Sequence, residues 1–485
     1  MTTIKIGSVY RARARHSLLG AVLVASGIAA HAGLVVGANI NISRATGYQG
    51  ETAIAMDPTN TQRLFAVSNN QSGQGAGLFG AYSTDGGTTW TTRLIATGAD
   101  VTAACCDPSA QFDKYGNLFV SYVNGSVNAG VIVTSANGGQ SFTTLATYAA
   151  RDQPTIVTGP GTIAGQSSTW VSYQNSGGVQ AARNLNVSGF GVFGALSAEQ
   201  TAPDSSGGNF GDIVIGNGGK AVIAYQSPSG GIGPSTIFTN LDSNGTAAGG
   251  FGASRLASTT NVGGFAPIPA QSRRTIDSEA GLAYDTSGGP NNGRLYMVYT
   301  ERASTASFDT NILLRHSDDD GANWSAPVKV NDDATAKSQF LPRISVDPVT
   351  GHVAIVWYDA RNSASNVQAQ LFGTMSLDGG LSFLTNALIG TGFSDASAQA
   401  NVNEFGDYIG LTLYNDVFYA AWADNSNSTG NNPNGVLGFD MYTARVQFIR
   451  DSVGTVPEPT SLLLFATAAA MLIRQRRSAA RQGIF

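Results

Sequence analysis

Short apolar runs, each closed by Gly, Asn or Asp, recur along the middle of this 485-residue chain. They come in pairs. The first run commonly ends in Asp, as in ETAIAMD (51–57), and the second in an aromatic residue, as in LFVSY (118–122). No long stretch between them shows the 3.6-residue period of an amphipathic helix. The pattern therefore predicts strands joined by tight turns, and 60 Gly with only 12% charged residues fit an all-β chain.

The paired runs form a repeat of seven units, whose first runs lie at 51–57, 107–113, 153–159, 211–217, 279–285, 342–347 and 406–413. This repeat predicts a β-propeller of four-stranded blades, with seven blades favoured and six the alternative. In all units but the first, the second run carries an aromatic residue at one register: Tyr122, Tyr173, Tyr225, Tyr299, Trp357 and Trp422. These rings are predicted to pack within the blades, with a sugar-stacking platform as the alternative.

The two ends of the repeat complement each other. The seventh unit stops after its third strand, and the N-terminal stretch NINIS (39–43) has no blade of its own. Pairing the two would close the ring and remove the exposed sheet edges. The sequence therefore predicts one propeller domain over 33–450, ring-closed by an N-terminal strand and flanked by separate segments at 1–32 and 451–485.

The stretch YSTDGGTTW (82–90) returns at 134–142, 316–324 and 375–383, always as Ser-x-Asp/Asn-x-Gly-x-x-aromatic. The acidic or amide side chain is expected to bond backbone N–H groups two residues on, and Gly to supply the positive φ of a hairpin turn. The positions assigned to this turn are Ser83, Asp85, Gly87, Trp90, Ser135, Asn137, Gly139, Phe142, Ser317, Asp319, Gly321, Trp324, Ser376, Asp378, Gly380 and Phe383.

This motif resembles the Asp-box, or BNR repeat, of sialidases and related propellers. The resemblance implies a propeller fold with the box away from the catalytic face. It also implies three arginines that clamp a substrate carboxylate, the first in a Phe/Tyr-Arg-Ile/Leu-Pro motif. This chain lacks that motif, and its nearest string, LPRIS around Arg343, lies in the sixth unit. Sialidase activity is therefore not transferred to this chain, which we expect not to be an enzyme.

Both ends read as processing segments. The first 32 residues combine basic residues, an apolar run (18–30) and a small-x-small site, AHA, which predict a secretory signal peptide; a transmembrane anchor is the alternative. The tail resembles the PEP-CTERM sorting signal, with a Pro-Glu-Pro motif, a short apolar membrane run (462–473) and a basic cluster, and a plain tail anchor is the alternative. Its signature residues are Pro457, Glu458, Pro459, Arg474, Arg476 and Arg477.

These segments imply a route and partners. Signal peptidase and exosortase would process the chain, which would cross the inner membrane, contact it transiently through the tail, and reach the cell surface or extracellular matrix. Residues 1–32 and the tail beyond Thr460 are basic and free of acids, so the domain between them is more acidic than the formal net charge of −5. An acidic surface argues against a nucleic-acid partner. The exported location makes extracellular polysaccharide the expected ligand.

Polar residues begin several of the first strands, which line the centre of a propeller. Candidates for one channel mouth are Glu51, Asp107, Gln153, Glu279 and Arg343. They predict a polar funnel that binds a sugar or a cation; side chains that cap turns and solvate the channel are the alternative. The functional prediction is a non-catalytic protein that binds or organises polysaccharide. A glycoside hydrolase with an unrecognised site at the mouth is the alternative, and it requires two carboxyl groups within about 10 Å.

Cysteine and histidine usage adds little chemistry. Cys105 and Cys106 are the only cysteines, and in an oxidising compartment they predict a vicinal disulfide; an intermolecular bridge and reduced buried thiols are the alternatives. Two of the four histidines lie in the predicted signal peptide, so no metal site is predicted, and no cofactor is expected.

Overall fold

The computed structural model describes residues 32–450, apart from 72–75, 176, 210, 247–248 and 399–402. The predicted signal peptide, the sorting motif at Pro457 and the apolar run 462–473 therefore lie outside the described residues. Within the described part, Gly33–Ile449 forms one compact unit. No helix in this part is long and apolar enough to cross a membrane.

Each pair of apolar runs becomes an antiparallel hairpin, and successive hairpins build seven sheets within the described residues. We number these blades in chain order and give each from the innermost strand outward. Blades 1 to 3 are Ala53–Met56, Leu64–Ser68, Leu78–Ser83 and Thr91–Ile95; Ala104–Phe112, Leu118–Asn124, Gly130–Ser135 and Thr143–Tyr148; and Asp152–Pro160, Ser167–Gln174, Gln180–Gly189 and Val192–Phe193, with Gln200–Thr201 also on the third strand.

Blades 4 to 6 are Ile213–Ile215, Ala221–Ser227, Ser235–Asp242 and Arg255–Thr260; Gly281–Tyr284, Leu295–Arg302, Thr310–Ser317 and Val328–Lys329; and Gln339–Val346, Val353–Asp359, Gln368–Ser376 and Ala387–Leu388, with Ser394–Asp395 also on the third strand. A separate hairpin of Ala266–Ile268 and Gln271–Ile276 follows blade 4 and precedes blade 5 in the chain. Short 3₁₀ turns occupy Asn217–Gly219, Ala396–Ala398 and Gly435–Leu437.

Blade 7 closes the ring. It consists of Gly410–Tyr414, Val417–Asp424 and Asp440–Ile449, and its outer strand comes from the N-terminus as Gly33–Val36 with Ile40–Asn41. The predicted closure and the count of seven blades are confirmed. The predicted closing strand at 39–43 was too short, because most of the pairing falls on Gly33–Val36. The two pieces pair in registers that differ by one residue, so a bulge at 37–39 divides the strand.

The innermost strands contact one another in blade order, and that of blade 7 contacts that of blade 1, which makes a closed ring around a central channel. The six aligned aromatic side chains are all buried within the blades: Tyr122, Tyr173, Tyr225, Tyr299, Trp357 and Trp422. Because they are buried, these rings pack within the blades, as predicted, and do not form a sugar-stacking platform.

The four Asp-box turns join the third and fourth strands of blades 1, 2, 5 and 6 and share one hydrogen-bond pattern. In blade 1, Ser83 Oγ accepts the N–H of Gly87 at 2.9 Å and donates to Asp85 Oδ1 at 2.8 Å. Asp85 Oδ1 in turn accepts the N–H of Thr89 at 2.9 Å. The acidic side chain thus holds the backbone four residues on, whereas two residues were predicted. The N–H two residues after Asp85, that of Gly87, is instead accepted by Ser83 Oγ.

The boxes lie at the end of the channel opposite the starts of the innermost strands. In blade 1, Ser83 pairs with Leu64, and Leu64 pairs with Met56 at the end of the innermost strand. The other end, where Glu51 precedes that strand, is called the mouth below. Any chemistry at the mouth is therefore separated from the boxes by the length of a blade.

Candidate active site

A backbone kink precedes or interrupts the innermost strand in five of the seven blades. The kinked residues have φ between 36° and 56°: Glu51, Asp107, Gln153, Glu279 and Leu341. In blades 2, 3 and 6 the strand register also shifts at this place. Positive φ is uncommon for residues with a side chain, and such strain collects at functional sites. The kink turns each strand away from its ladder at the mouth.

The channel holds a cavity of about 900 Å³. Its wall near the mouth includes polar side chains from five blades: Gln153, Asp212, Glu279, Arg343 and Tyr408. The opposite end mixes apolar residues such as Ile163 and Val349 with polar ones such as Lys114 and Gln166. Both acidic residues of the cavity wall, Asp212 and Glu279, lie at the mouth.

Blades 4, 5 and 6 contribute one group of charged residues to this wall. Arg343 Nη1 lies 3.4 Å from Asp212 Oδ2. Asp212 also accepts the backbone N–H groups of Ile213 at 2.9 Å and Leu282 at 3.0 Å. Its side chain is only 4% exposed, so these three donors compensate most of its lost hydration. Asp212 is thereby fixed to the innermost strand of blade 5, just beyond Glu279.

Glu279 is the acid of this group. Burial raises the pKa of Glu279 well above its ordinary value, and the carboxyl group of Asp277 and the charge of Asp407 raise it further, while Arg343 opposes them. Burial also raises the pKa of Asp277 to about 7, with Asp407 as the next cause. Burial therefore favours the protonated form of Glu279, which lies in the same cavity as the arginine-bound Asp212.

Blades 1, 2 and 3 contribute a chain of three carboxyl groups. Glu51 is hydrogen-bonded to Asp107, and Asp107 to Asp152. Asn69 connects the chain to the backbone, since its amide donates to Glu51 Oε2 and its carbonyl accepts the N–H of Asp107 at 2.9 Å. Asp107 Oδ2 accepts the N–H of Gln153 at 3.2 Å. Asp107 therefore caps the kink of the next blade as well as lying at the mouth.

Burial raises the pKa of all three carboxyl groups to about 7. The second cause is a neighbouring carboxylate in each case: Asp407 for Glu51, Glu51 for Asp107 and Asp107 for Asp152. Two carboxylates in contact repel each other unless a proton lies between them. The chain therefore shares protons at neutral pH and gains negative charge above it.

Arg274, from the separate hairpin, joins the two sides of the mouth. Its Nε donates to Asp407 Oδ1 at 2.7 Å, its Nη2 donates to Asp407 Oδ2, and the same Nη2 lies 3.5 Å from Glu51 Oε1. Gln153 Nε2 donates to Asp407 Oδ2 at 3.2 Å. Tyr408 reaches across to blade 2, where its hydroxyl donates to the carbonyl of Pro108 at 3.2 Å.

The structure brings all five predicted mouth residues to this end of the channel. Gln153, Glu279 and Arg343 line the cavity, whereas Glu51 and Asp107 lie beside it in the hydrogen-bonded chain. The carboxyl groups of Glu51 and Asp107 are hydrogen-bonded to each other, which places them closer together than the roughly 5–9.5 Å that separates the carboxyl pair of a glycoside hydrolase. Sequence reasoning missed Asp212 and Asp407, although the fourth and seventh units both begin with Gly-Asp. It also missed Arg274, whose only sequence signal is the basic pair RR at 273–274.

The sequence matches no protein-family model and no curated protein. Solved structures similar to it include an α-L-arabinofuranosidase of Fusarium graminearum with arabinobiose (11% identity, TM-score 0.43, 85% of this chain and 98% of that one). They also include the phage phi92 endosialidase (10%, 0.44, 87% and 70%) and the Aleuria aurantia lectin with α-methyl-L-fucoside (14%, 0.40, 71% and 98%). The function of this chain is therefore argued from its own residues.

Two other sequence features lie near the mouth. Cys105 and Cys106 are joined as a vicinal disulfide at the start of blade 2, with Cys105 exposed and Asp107 next in the chain. In blades 6 and 7 a buried Trp Nε1 donates to an Asp two residues on, at 2.8 Å for Trp357 and 3.0 Å for Trp422. These aspartates order the loops that follow. Among the described residues, no group of three or more His, Cys, Asp or Glu has a metal-binding arrangement.

Proposed function

We propose that this protein is a glycoside hydrolase whose site is the mouth of the propeller channel. The observation that carries the proposal is the contrast between Glu279 and Asp212. Both line the same cavity, but burial raises the pKa of Glu279 and favours its protonated form, whereas Asp212 is held by Arg343 and two backbone N–H groups. A pair of carboxyl groups in unlike environments is what glycoside hydrolysis uses as acid and base.

The reaction follows from these roles. Glu279 donates its proton to the glycosidic oxygen as the bond from that oxygen to the anomeric carbon breaks. Water adds to the anomeric carbon and loses a proton to Asp212, so that one water is consumed for each bond cleaved. Arg343 acts as a positioning residue, since it holds Asp212 and lies close enough to Glu279 to affect its pKa. Transfer of a proton from Asp212 to Glu279 through solvent restores the site.

The substrate proposed is extracellular polysaccharide. The support is the secretory signal predicted at 1–32 and the sorting segment predicted at 451–485, which would deliver the chain to the cell surface or matrix. Signal peptidase and exosortase are the proposed processing partners. The carboxyl groups at the mouth favour hydroxyl-rich ligands, because the ionised form accepts hydrogen bonds from sugar hydroxyls and the protonated form also donates to them.

The test is hydrolysis by the purified full chain. Probes are linear arabinan, polysialic acid, polygalacturonic acid and extracellular polysaccharide from an exosortase-containing bacterium, with new reducing ends measured over hours. We expect release from at least one polymer and its loss in Glu279→Gln. The matched control is Asp318→Asn, which removes an exposed carboxylate at the opposite end of the propeller. Release that Glu279→Gln leaves unchanged would contradict the proposal.

A non-catalytic polysaccharide-binding function is the second candidate. It is favoured by the hydrogen bonds of Glu51 and Asp107, which accept from Asn69 and from the N–H of Gln153 as structural caps do. A binding scaffold would co-sediment with a polymer and release nothing from it. It would also retain that binding when Glu279 is replaced by Gln.

A further inference from the structure

The vicinal disulfide Cys105–Cys106 lies in the innermost strand of blade 2, directly before Asp107. Cys105 is exposed, Cys106 is half-buried and Asp107 is buried. The strand therefore leads from the solvent into the chain of carboxyl groups within three residues. Cys105 and Cys106 are also the only cysteines of the whole sequence, so a thiol reductant has no other disulfide in this protein to act on.

The hydrogen-bonded ladder of blade 2 is interrupted at the disulfide. The register between the first two strands shifts on both sides of Cys106, and the described pairs include none of Cys105, Asp107 and Pro108. Pro108 also has no N–H to donate. The ladder therefore restrains this segment weakly, and the disulfide is the covalent restraint that acts on it.

Asp107 has a conformation that needs a restraint. Its φ is 56°, which is uncommon for a residue with a side chain. Its N–H donates to Asn69 Oδ1 at 2.9 Å, and its Oδ2 accepts the N–H of Gln153 at 3.2 Å. Both bonds depend on the direction that the kink gives to Asp107. A disulfide between neighbouring residues closes an eight-membered ring, which limits rotation of the backbone that leads into the kink.

A movement of Asp107 would reach several other groups at the mouth. The titratable groups that face it are Glu51 of blade 1, Asp152 of blade 3 and Tyr408 of blade 7. Gln153, which Asp107 caps, lines the cavity. Asp107 is thus the middle member of the carboxyl chain and a support of the cavity wall.

We propose that the Cys105–Cys106 disulfide is a redox switch of the channel mouth. In the oxidised form it holds Asp107 between Glu51 and Gln153, and its reduction by a dithiol releases Asp107 from both. The release of Asp107 is independent of any reaction at the mouth. The accompanying loss of activity rests on the proposed function, because Gln153 lines the same cavity as the proposed acid and base.

Reduction is a thiol–disulfide exchange in two steps. A thiolate of the dithiol attacks the sulfur of Cys105, the exposed partner, and forms a mixed disulfide, while the sulfur of Cys106 leaves as a thiolate and takes up a proton. The second thiol of the reductant, as its thiolate, then displaces Cys105, which is protonated in turn, and closes the disulfide of the reductant. Two electrons and two protons thus pass from the dithiol to the protein.

The first experiment measures whether the bond is reduced in the folded protein. The full chain is treated with dithiothreitol, free thiols are blocked with iodoacetamide, and the mass is measured while circular dichroism reports the fold. We expect two blocked thiols and an unchanged β-sheet spectrum. Blocking that occurs only when the chain unfolds would overturn the switch.

The second experiment measures whether Asp107 is released. Urea midpoints at pH 5 and pH 7.5 are compared for the oxidised protein and for reduced protein kept under argon. The oxidised protein should be less stable at pH 7.5, because its carboxyl chain holds protons that the unfolded chain has lost. Asp107 is the middle group of three, so we expect reduction to decrease the difference between the midpoints by about half. An equal fall of both midpoints would indicate only a lost cross-link and would overturn the switch.

Two variants provide matched controls. Replacement of both cysteines, Cys105→Ser with Cys106→Ser, should give the midpoint difference of the reduced protein and no response to dithiothreitol. Asp107→Asn keeps the disulfide but removes the middle carboxyl group, so reduction should produce no further decrease of the difference. A decrease in Asp107→Asn as large as that in the wild type would overturn the role given to Asp107.

The third experiment measures hydrolysis of the four polymers named above by the oxidised, reduced and reoxidised protein. We expect kcat/KM to fall several-fold on reduction and to recover on reoxidation. Equal activity of the oxidised and reduced forms would overturn the switch and leave the proposed hydrolase standing. The absence of hydrolysis in every form would overturn the proposed function, and the comparison of urea midpoints would then decide the inference alone.

Discussion

The guanidinium of Arg343 lies 3.4 Å from the carboxylate of Asp212, although Arg343 lies within the innermost strand of blade 6 and Asp212 just before that of blade 4. The contact joins blades 4 and 6 across blade 5, whose innermost strand is itself bonded to Asp212 through the N–H of Leu282. The charge of Arg343 also lowers the pKa of Glu279, so one arginine affects both carboxyl groups of the proposed site. The candidate site is thus a property of the ring and of no single blade.

Removal of this contact should cost stability. Asp212 is 4% exposed, and Arg343→Met keeps the side-chain length while leaving the carboxylate with its two backbone donors alone. A buried charged group that loses a partner costs about 1–3 kcal/mol. We expect the free energy of unfolding in urea to fall by that amount. Arg343→Lys retains the charge and should recover part of the loss, whereas equal stability of all three proteins would contradict a structural role for the pair.

Replacement of Glu279 should affect substrates according to their leaving groups. General acid catalysis contributes about 10²–10⁴-fold when the leaving oxygen needs a proton. Glu279→Gln should therefore lose about this factor on a polysaccharide but much less on a p-nitrophenyl glycoside of the same sugar, whose leaving group departs without protonation. The ratio of the two kcat/KM values is the measurement. An equal loss on both substrates would assign Glu279 to binding or folding instead.

The carboxyl chain predicts that stability decreases as pH rises. Burial raises the pKa of Glu51, Asp107 and Asp152 to about 7 in the folded protein, whereas unfolded carboxyl groups titrate near 4. Between these values the folded state binds more protons, so their contribution is complete below about pH 4 and lost as pH passes about 7. Urea midpoints between pH 4 and pH 8 measure this. Shared protons make the total smaller than three separate titrations.

Asp152→Asn tests whether the three carboxyl groups cause this pH dependence of stability. The amide oxygen can still accept the N–H of Gln153, and the amide nitrogen can donate to Asp107 in place of the shared proton. We expect the variant to match the wild type near pH 5, to exceed its stability near pH 8, and to show a shallower pH slope. A slope as steep as that of the wild type would mean that the titrating groups lie elsewhere.

The Asp-box of blade 2 offers a matched pair of glycines. Both have positive φ, 70° at Gly138 and 98° at Gly139. A Cβ at Gly139 would lie 2.3 Å from the ring of Phe65 in blade 1, whereas at Gly138 the nearest atom is 3.8 Å away on Arg63. Gly138→Ala should cost about 1 kcal/mol from backbone strain, and Gly139→Ala about 1–3 kcal/mol more from overpacking. Equal losses in chemical denaturation would show that the box does not fix the contact between blades.

The repeat alone determined much of this protein. Apolar runs of strand length, turns rich in Gly and Asp, and four copies of one box predict blades, because side-chain period and turn chemistry act within a few residues of the chain. The count of seven and the closure by the N-terminus followed from the same periodicity. The precise pairing of the closing strand did not, since a one-residue bulge leaves no mark in the pattern of apolar positions.

The composition of the mouth was decided by tertiary structure. Glu279 and Arg343 were recognisable because they sit in or beside innermost strands, but their partner Asp212 comes from another blade, and Arg274 arrives on a hairpin outside the repeat. Whether a carboxyl group is acid or base depends on burial and on charges brought across the channel, and these distances are set only when the ring closes. The sequence therefore determined the scaffold, and the closed ring determined its chemistry.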